Sequence, residues 1–313
     1  MKTNSLVNLV AYVLALVLAA IGVILVAPRT AEVVVSTATL LHTVRDARGA
    51  VFPIRPYQRV VTLDLLSDEL AGRLLPLSRL IGVSGWAQDP EAWRLAGIPR
   101  MAGLSDLESL LVMKPDLILV STSGTEIGRI QRLRDAGIAV FNLGPAGGTR
   151  ELCANIRRVS LLLGVGERGE QIAAQFERRL SHVSTHLPSQ MVRRRALVLT
   201  PTVIQVYGGT TGSSFHDLVL AAGLIDAAEG HFAEPWPLIS AEQALTLDPD
   251  IIVTRRGGVD ILRRIPGFDR LRALHTPDAA IELPEALFDS PGLSVLDAAE
   301  RLCDAAYPDA RRN

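Results

Sequence analysis

Two histidines four residues apart, His182 and His186, have the spacing that sets two imidazoles on one helix face, where they can share a metal ion. No carboxylate or third ligand stands close in sequence, and histidine near a helix end is favoured electrostatically in any case. The other histidines (His42, His216, His231 and His275) are scattered, so a bare zinc or manganese carrier is not expected. Gly208-Gly209-Thr210-Thr211-Gly212 has the glycine density of a phosphate loop but not the Lys-Ser/Thr pair that follows in one, and is read as a mobile cleft loop. Ser213, Ser214 and His216 do not make a nucleophile elbow, because no Gly-x-Ser-x-Gly surrounds them. Cys153 and Cys303 lie in separate elements, and two free, buried thiols are the expected state. No catalytic residue, metal site or cofactor is assigned, and the chain is not read as an enzyme.

Recognition chemistry is better represented. Ligands of open parallel sheets sit beyond the carboxyl ends of the strands. That rule nominates Trp86 after the strand Ile81–Ser84, and Ser121 and Thr122 after Leu117–Val120. It also nominates Tyr207 before the glycine loop, Trp236 in Pro235-Trp236-Pro237, and Arg255 and Arg256 after Ile251–Thr254. Phe288, in Phe288-Asp289-Ser290-Pro291, lies at an equivalent edge. Aromatic faces bury much area at low entropic cost, and the arginines suit carboxylates or the negative charge of a metal chelate.

The elements that must position these residues come from an internal repeat. Residues 106–120 read DLESLLVMKPDLILV and residues 240–254 read SAEQALTLDPDIIVT. Without a gap, Glu108 matches Glu242, Leu111 matches Leu245, and Pro115-Asp116 matches Pro249-Asp250. Each copy predicts a short amphipathic helix, a Pro-Asp turn where proline stops the helix, and a strand apolar enough to be covered on both faces. Ser105-x-x-Glu108 and Ser240-x-x-Gln243 have the capping-box pattern. Further strand and helix segments flank both copies: Arg59–Leu63, Ser67–Leu75, Arg129–Ala136 and Ile138–Leu143 in one half, and Ala196–Leu199, Ser214–Ala222, Asp260–Leu274 and Ala280–Leu283 in the other. The fold class is therefore α/β, with two doubly wound lobes of mainly parallel sheet and a ligand cleft between them. Residues 32–148 make the N-terminal lobe, opened by a hairpin turning at Asp46-Ala47-Arg48-Gly49. Residues 149–190 are a long connecting backbone helix with one glycine-rich interruption at Gly164-Val165-Gly166, and 191–313 the C-terminal lobe.

Composition sets the class of partner. Hydrophobic residues make up 48% and charged residues 21%, a globular balance, while the formal charge of −1 excludes a nucleic-acid binder. Residues 1–31 differ in kind: Lys2 leads a nearly unbroken apolar run from Leu6 to Ala27. That run is long enough to span a membrane and also fits a secretory signal. With Pro28 and Arg29 spoiling the cleavage frame, an uncleaved anchor is preferred, and the rest of the chain is exported.

The ordered set of segments resembles the helical-backbone (class III) ABC importer solute-binding proteins, which carry ferric siderophores, haem and cobalamin. The resemblance runs from about Thr43 to Pro308, through RVVTLDLLSDEL, LIGVSGW, LESLLVMKPDLILVS, NIRRVSLLLG and PWPLISAEQALTLDPDIIV. It implies a monomer in the periplasm that captures a ferric siderophore or similar chelate and hands it to an ABC permease. A corrinoid is the alternative ligand, and a membrane-tethered sensor the alternative role. Trp86 and Trp236 match positions where members of the family place cleft aromatics. Ser121 stands where the cobalamin binders have an aromatic, and the Phe288 region lacks their tryptophan. The resemblance also gives Glu108 and Glu242 a role, since one glutamate on each lobe of such proteins docks on arginines of the permease.

Overall fold

Asp46-Ala47-Arg48-Gly49 turns as its composition predicts: Gly49 takes a φ of 82°, and the Asp46 carboxylate accepts the amides of Arg48 and Ala50. The computed structural model describes residues 42–85, 97–122, 126–145, 147–288 and 292–308. The turn joins β1 (Thr43–Arg45) to β2 (Val51–Pro53) in an antiparallel pair. An ion pair from Arg134 to the buried Asp46, at 2.7 Å, pins it to the first lobe.

That lobe alternates strand and helix: β3 (Val60–Thr62), α1 (Leu65–Leu74), β4 (Leu80–Ser84), β5 (Arg100–Met101), α2 (Leu107–Met113), β6 (Leu117–Val120), α3 (Ile127–Asp135) and β7 (Ala139–Asn142). Its sheet is parallel, in the order β5-β4-β3-β6-β7. The helices α4 (Thr149–Leu162) and α5 (Gly166–His182) lead to the second lobe. There follow β8 (Arg195–Pro201), β9 (Val206–Gly208), α6 (Ser214–Ala221), β10 (Ile225–Asp226), α7 (Ala241–Leu247), β11 (Ile251–Arg255), α8 (Gly258–Leu262), β12 (Ala280–Leu283), α9 (Glu285–Phe288) and α10 (Ser294–Ala306). The second sheet runs β10-β8-β11-β12 in parallel, with β9 antiparallel on β8. Setting aside β5 and β9, the two sheets have one topology, and the expected pair of doubly wound lobes is what forms.

The unbroken apolar strands are explained by cover on both faces. Leu117 and Leu119 of β6 join a core that runs through both lobes, while Ile118 and Val120 face a core private to the first. In β11, Ile251 and Val253 face the shared core and Ile252 one private to the second lobe. Each such side chain contributes about 1.5–3 kcal/mol by leaving water.

The repeat persists in finer detail than the sequence displays. α2 ends at Lys114 and α7 at Asp248, both left-handed, with φ of 47° and 39°. Asp116 accepts the amides of Gln58 and Arg59 at 2.7 and 2.9 Å, and Asp250 accepts that of Arg195 at 2.9 Å. The Arg59 guanidinium donates to the carbonyls of Met113 and Lys114, and that of Arg195 to Leu247. Arginine thus satisfies the orphan carbonyls at the end of both repeat helices.

Three expectations are corrected. Ser105 does not cap α2: a turn over Gly103–Ser105 delays the helix, Asp106 becomes the N-cap and accepts the Ser109 amide at 3.3 Å, and the Ser105 hydroxyl donates to the Ala102 carbonyl. The Ser240–Gln243 box does form, in both directions. The connecting segment is not one rod. Gly164, at φ 73°, breaks it, and α5 folds back along α4 with Arg157 bound to both Glu170 and Glu177. The helix expected over Asp260–Leu274 stops at Leu262, because Pro266 cannot continue it and Gly267 takes a φ of 90°. Short turns at Phe268–Arg270 and Arg272–Leu274 replace it. Among the described residues no helix is long and apolar enough to cross a membrane. The expected anchor or signal, residues 1–31, lies outside them.

Candidate ligand-binding site

Parallel strands deliver their carboxyl ends to one edge of each sheet, and Ser121 and Thr122 follow β6 there as Arg255 and Arg256 close and follow β11. In the first lobe that edge is stitched together. The Ser121 amide donates to Asp64 at 2.6 Å and its hydroxyl to the Gly144 carbonyl at 2.6 Å. The Thr122 amide reaches the Asn142 side chain at 3.4 Å, which also accepts the Gly144 amide at 2.8 Å. Ser121 therefore commits its amide and its hydroxyl within the lobe. Trp86 lies outside the described residues.

Sequence reasoning passed over two acids at this edge. Asp64 caps α1, accepting the amide and hydroxyl of Ser67 at 3.0 and 2.9 Å as well as the Ser121 amide. Burial pushes its carboxyl up to about 6, against the downward pull of those hydrogen bonds. Asp68 is buried below, accepting the hydroxyls of Ser84, at 2.6 Å, and Thr62. Burial raises its carboxyl too. The available signal was Asp64-x-x-Ser67 directly after a strand, a helix-start pattern.

In the second lobe Trp236 is 40% exposed and Tyr207 37%. The Trp236 ring stands edge-on to Phe215, centroids 5.1 Å apart, and Phe215 packs on Phe288 at 4.5 Å. Phe288 is 2% exposed, so it backs the aromatic wall from beneath and offers no ring at the surface. The Arg255 guanidinium donates to the Pro201 carbonyl at 3.3 Å and lies 3.9 Å from Glu285. Arg256 is exposed. The glycine loop read as mobile is clamped instead: the Gly208 amide donates to Pro237 and that of Thr210 to Pro235. Side chains on Gly208 and Gly209 would collide with Ile239 and Phe215, so these glycines serve close packing. Behind the loop, the Thr210 hydroxyl and His216 Nδ1 both bond Asp226 Oδ2 at 2.8 Å, and Ser213 caps α6. His216 thereby has a structural role.

Glu108 and Glu242 are both exposed, each the second residue of its helix, near the positive end of the dipole. Those helices run antiparallel to the strands that follow, so both glutamates stand at the strand-end edge of their own lobe.

A cavity of about 620 Å³ lies elsewhere, between α1, α5 and α10, with Glu69, Arg73, Phe176, Arg179 and Asp297 among its lining. None of the nominated residues borders it. Among the described residues no cluster of three metal-ligating side chains exists, and His182 and His186 are both exposed. Both cysteines are buried free thiols. The second lobe thus presents the exposed rings of Trp236 and Tyr207 and the exposed Arg256, while the strand ends of the first lobe are closed by internal hydrogen bonds.

A family model described as periplasmic binding protein matches residues 60–280. The vitamin B12-binding protein of Yersinia pestis (strain Pestoides F) is 26% identical over 258 residues, covering 80% of this chain and 87% of its own. Among solved structures, the periplasmic heme-binding protein of Roseiflexus sp. RS-1 superposes with a TM-score of 0.70 at 22% identity, over 81% of this chain and 99% of that one. The periplasmic vitamin B12 binding protein of Vibrio cholerae gives 0.66 at 21%, over 82% and 99%. These structural likenesses carry the fold.

Proposed function

The chain belongs to the periplasmic binding protein family, and from that premise we propose that it captures a large metal chelate of the tetrapyrrole class, a corrinoid first, for an ABC importer. The observation that carries this reading is the exposed ring of Trp236, braced from behind by the buried Phe215 and Phe288, with Tyr207 exposed nearby. A flat macrocycle packs against such exposed rings, and Arg256 offers a cation to its peripheral carboxylates or phosphate. The relatives' names agree in kind, and a ferric siderophore is the second candidate. The test is a binding screen of cobalamin, haemin and ferric siderophores against the full chain, read by quenching of tryptophan fluorescence. Cobalamin binding that weakens at least about tenfold in Trp236→Ala, the loss of roughly 1.4 kcal/mol of contact, supports the reading. Tight binding of a siderophore alone overturns the tetrapyrrole assignment.

Delivery needs a surface for the permease, and Glu108 and Glu242 fill that role in this reading. Each carboxylate is exposed and mounted on a helix whose far end is tied down by an arginine, Arg59 or Arg195. The double reversal Glu108→Lys with Glu242→Lys abolishes uptake and leaves solute affinity unchanged. Uptake that survives it rejects docking through these acids and points to a receptor as partner.

A further inference from the structure

α4 is the helix that leaves the first lobe and α10 is the last helix of the second, and neither caps itself. Their N-cap residues are Gly148 and Leu293, without a side-chain hydrogen bond. In each case a carboxylate from the first helix of the opposite lobe takes over. Asp217, in the first turn of α6, accepts the Thr149 amide at 2.5 Å and the Thr149 hydroxyl at 2.9 Å. Glu69, on α1, accepts the Leu293 amide at 3.0 Å, while Arg73 holds its other oxygen at 3.3 Å. A glycine precedes the donor both times, Gly148 and Gly292, and a methyl group on either would run into the carboxylate it faces.

We propose that Glu69 and Asp217 are paired inter-lobe clamps, Glu69 of the first lobe capping the second lobe's last helix and Asp217 of the second lobe capping the helix that leaves the first, so that spreading the lobes uncaps both helices together. A carboxylate at a helix start meets unsatisfied amides and the positive end of the dipole. Separating the lobes leaves those amides without this partner at both places at once. The angle between the lobes and the order of two helix starts are therefore one equilibrium. This goes beyond solute capture, and its test needs no solute.

Amide hydrogen exchange is followed in the ligand-free full chain, on peptides covering 147–153 and 292–297, for the wild type, Asp217→Asn and Glu69→Gln. A second readout is the distance distribution between spin labels on Gln131→Cys and Asp260→Cys, exposed positions on opposite lobes. Each variant speeds exchange at its own helix start by about tenfold, the worth of one hydrogen bond to a charged group. The decisive result is the cross effect: Glu69→Gln also speeds exchange at Thr149, Asp217→Asn also speeds it at Leu293, and the inter-label distribution broadens. Glu300→Gln, which removes an ion pair between Arg179 and α10 without touching either cap, leaves both amides as they were. Acceleration confined to the variant's own helix, with an unchanged distribution, reduces both residues to local caps and overturns the proposal. Should Asp217→Asn fail to fold, Glu69→Gln alone decides between these outcomes.

Discussion

Asp64 accepts three hydrogen bonds from Ser67 and Ser121 where burial disfavours its charge. Its carboxyl is held near 6, above the ordinary 3.8, so the fold prefers it protonated. The stabilisation from that proton is full below about pH 4 and lost as pH rises through about 6. The stability of the wild type relative to Asp64→Asn, from urea midpoints, therefore falls by roughly 1–3 kcal/mol between those limits. A difference that stays flat with pH contradicts the assignment. The cysteines behave oppositely to reactive thiols. Burial, with the Glu177 carboxylate beside it, pushes the Cys153 thiol up to about 12, and Cys303 is buried 1% exposed. Neither reacts with Ellman's reagent in the native protein at mildly alkaline pH, and both react in denaturant. Labelling of either thiol in the folded chain would show that its burial is wrong.

The start of α2 separates two readings of one stretch of chain. Ser105-x-x-Glu108 had the pattern of a box, yet Asp106 supplies the cap. Asp106→Ala accordingly costs about 1 kcal/mol in chemical denaturation, and Ser105→Ala close to nothing. The reverse ranking would restore the box. Element types were legible because they depend on neighbours: Pro115 and Pro249 end their helices, and Leu117–Val120 and Ile251–Thr254 are strands by composition. The failures were also local. Gly164-Val165-Gly166 was legible as an interruption of the connecting segment, but not that the second helix folds back along the first. The glycines at 208 and 209 read as freedom but serve contact with Ile239 and Phe215.

One core containing Leu70, Phe176, Leu218 and Leu302 runs through both lobes, and a shared core predicts that the two sheets unfold together. Leu302→Ala, at a fully buried position of α10, costs about 2–5 kcal/mol. It lowers one calorimetric transition without splitting it, and two transitions would mean that the lobes unfold independently. The sequence by itself determined the α/β class, the duplicated helix–turn–strand and the hairpin. Periodicity, caps and turns act over a few residues, and a repeat shows itself by comparison. Only the tertiary structure decided which acid meets which amide: Asp64 with Ser121 across 57 residues, Asp217 with Thr149 across 68, Glu69 with Leu293 across 224. Such pairings follow from how two lobes pack, and no spacing along the chain encodes that angle.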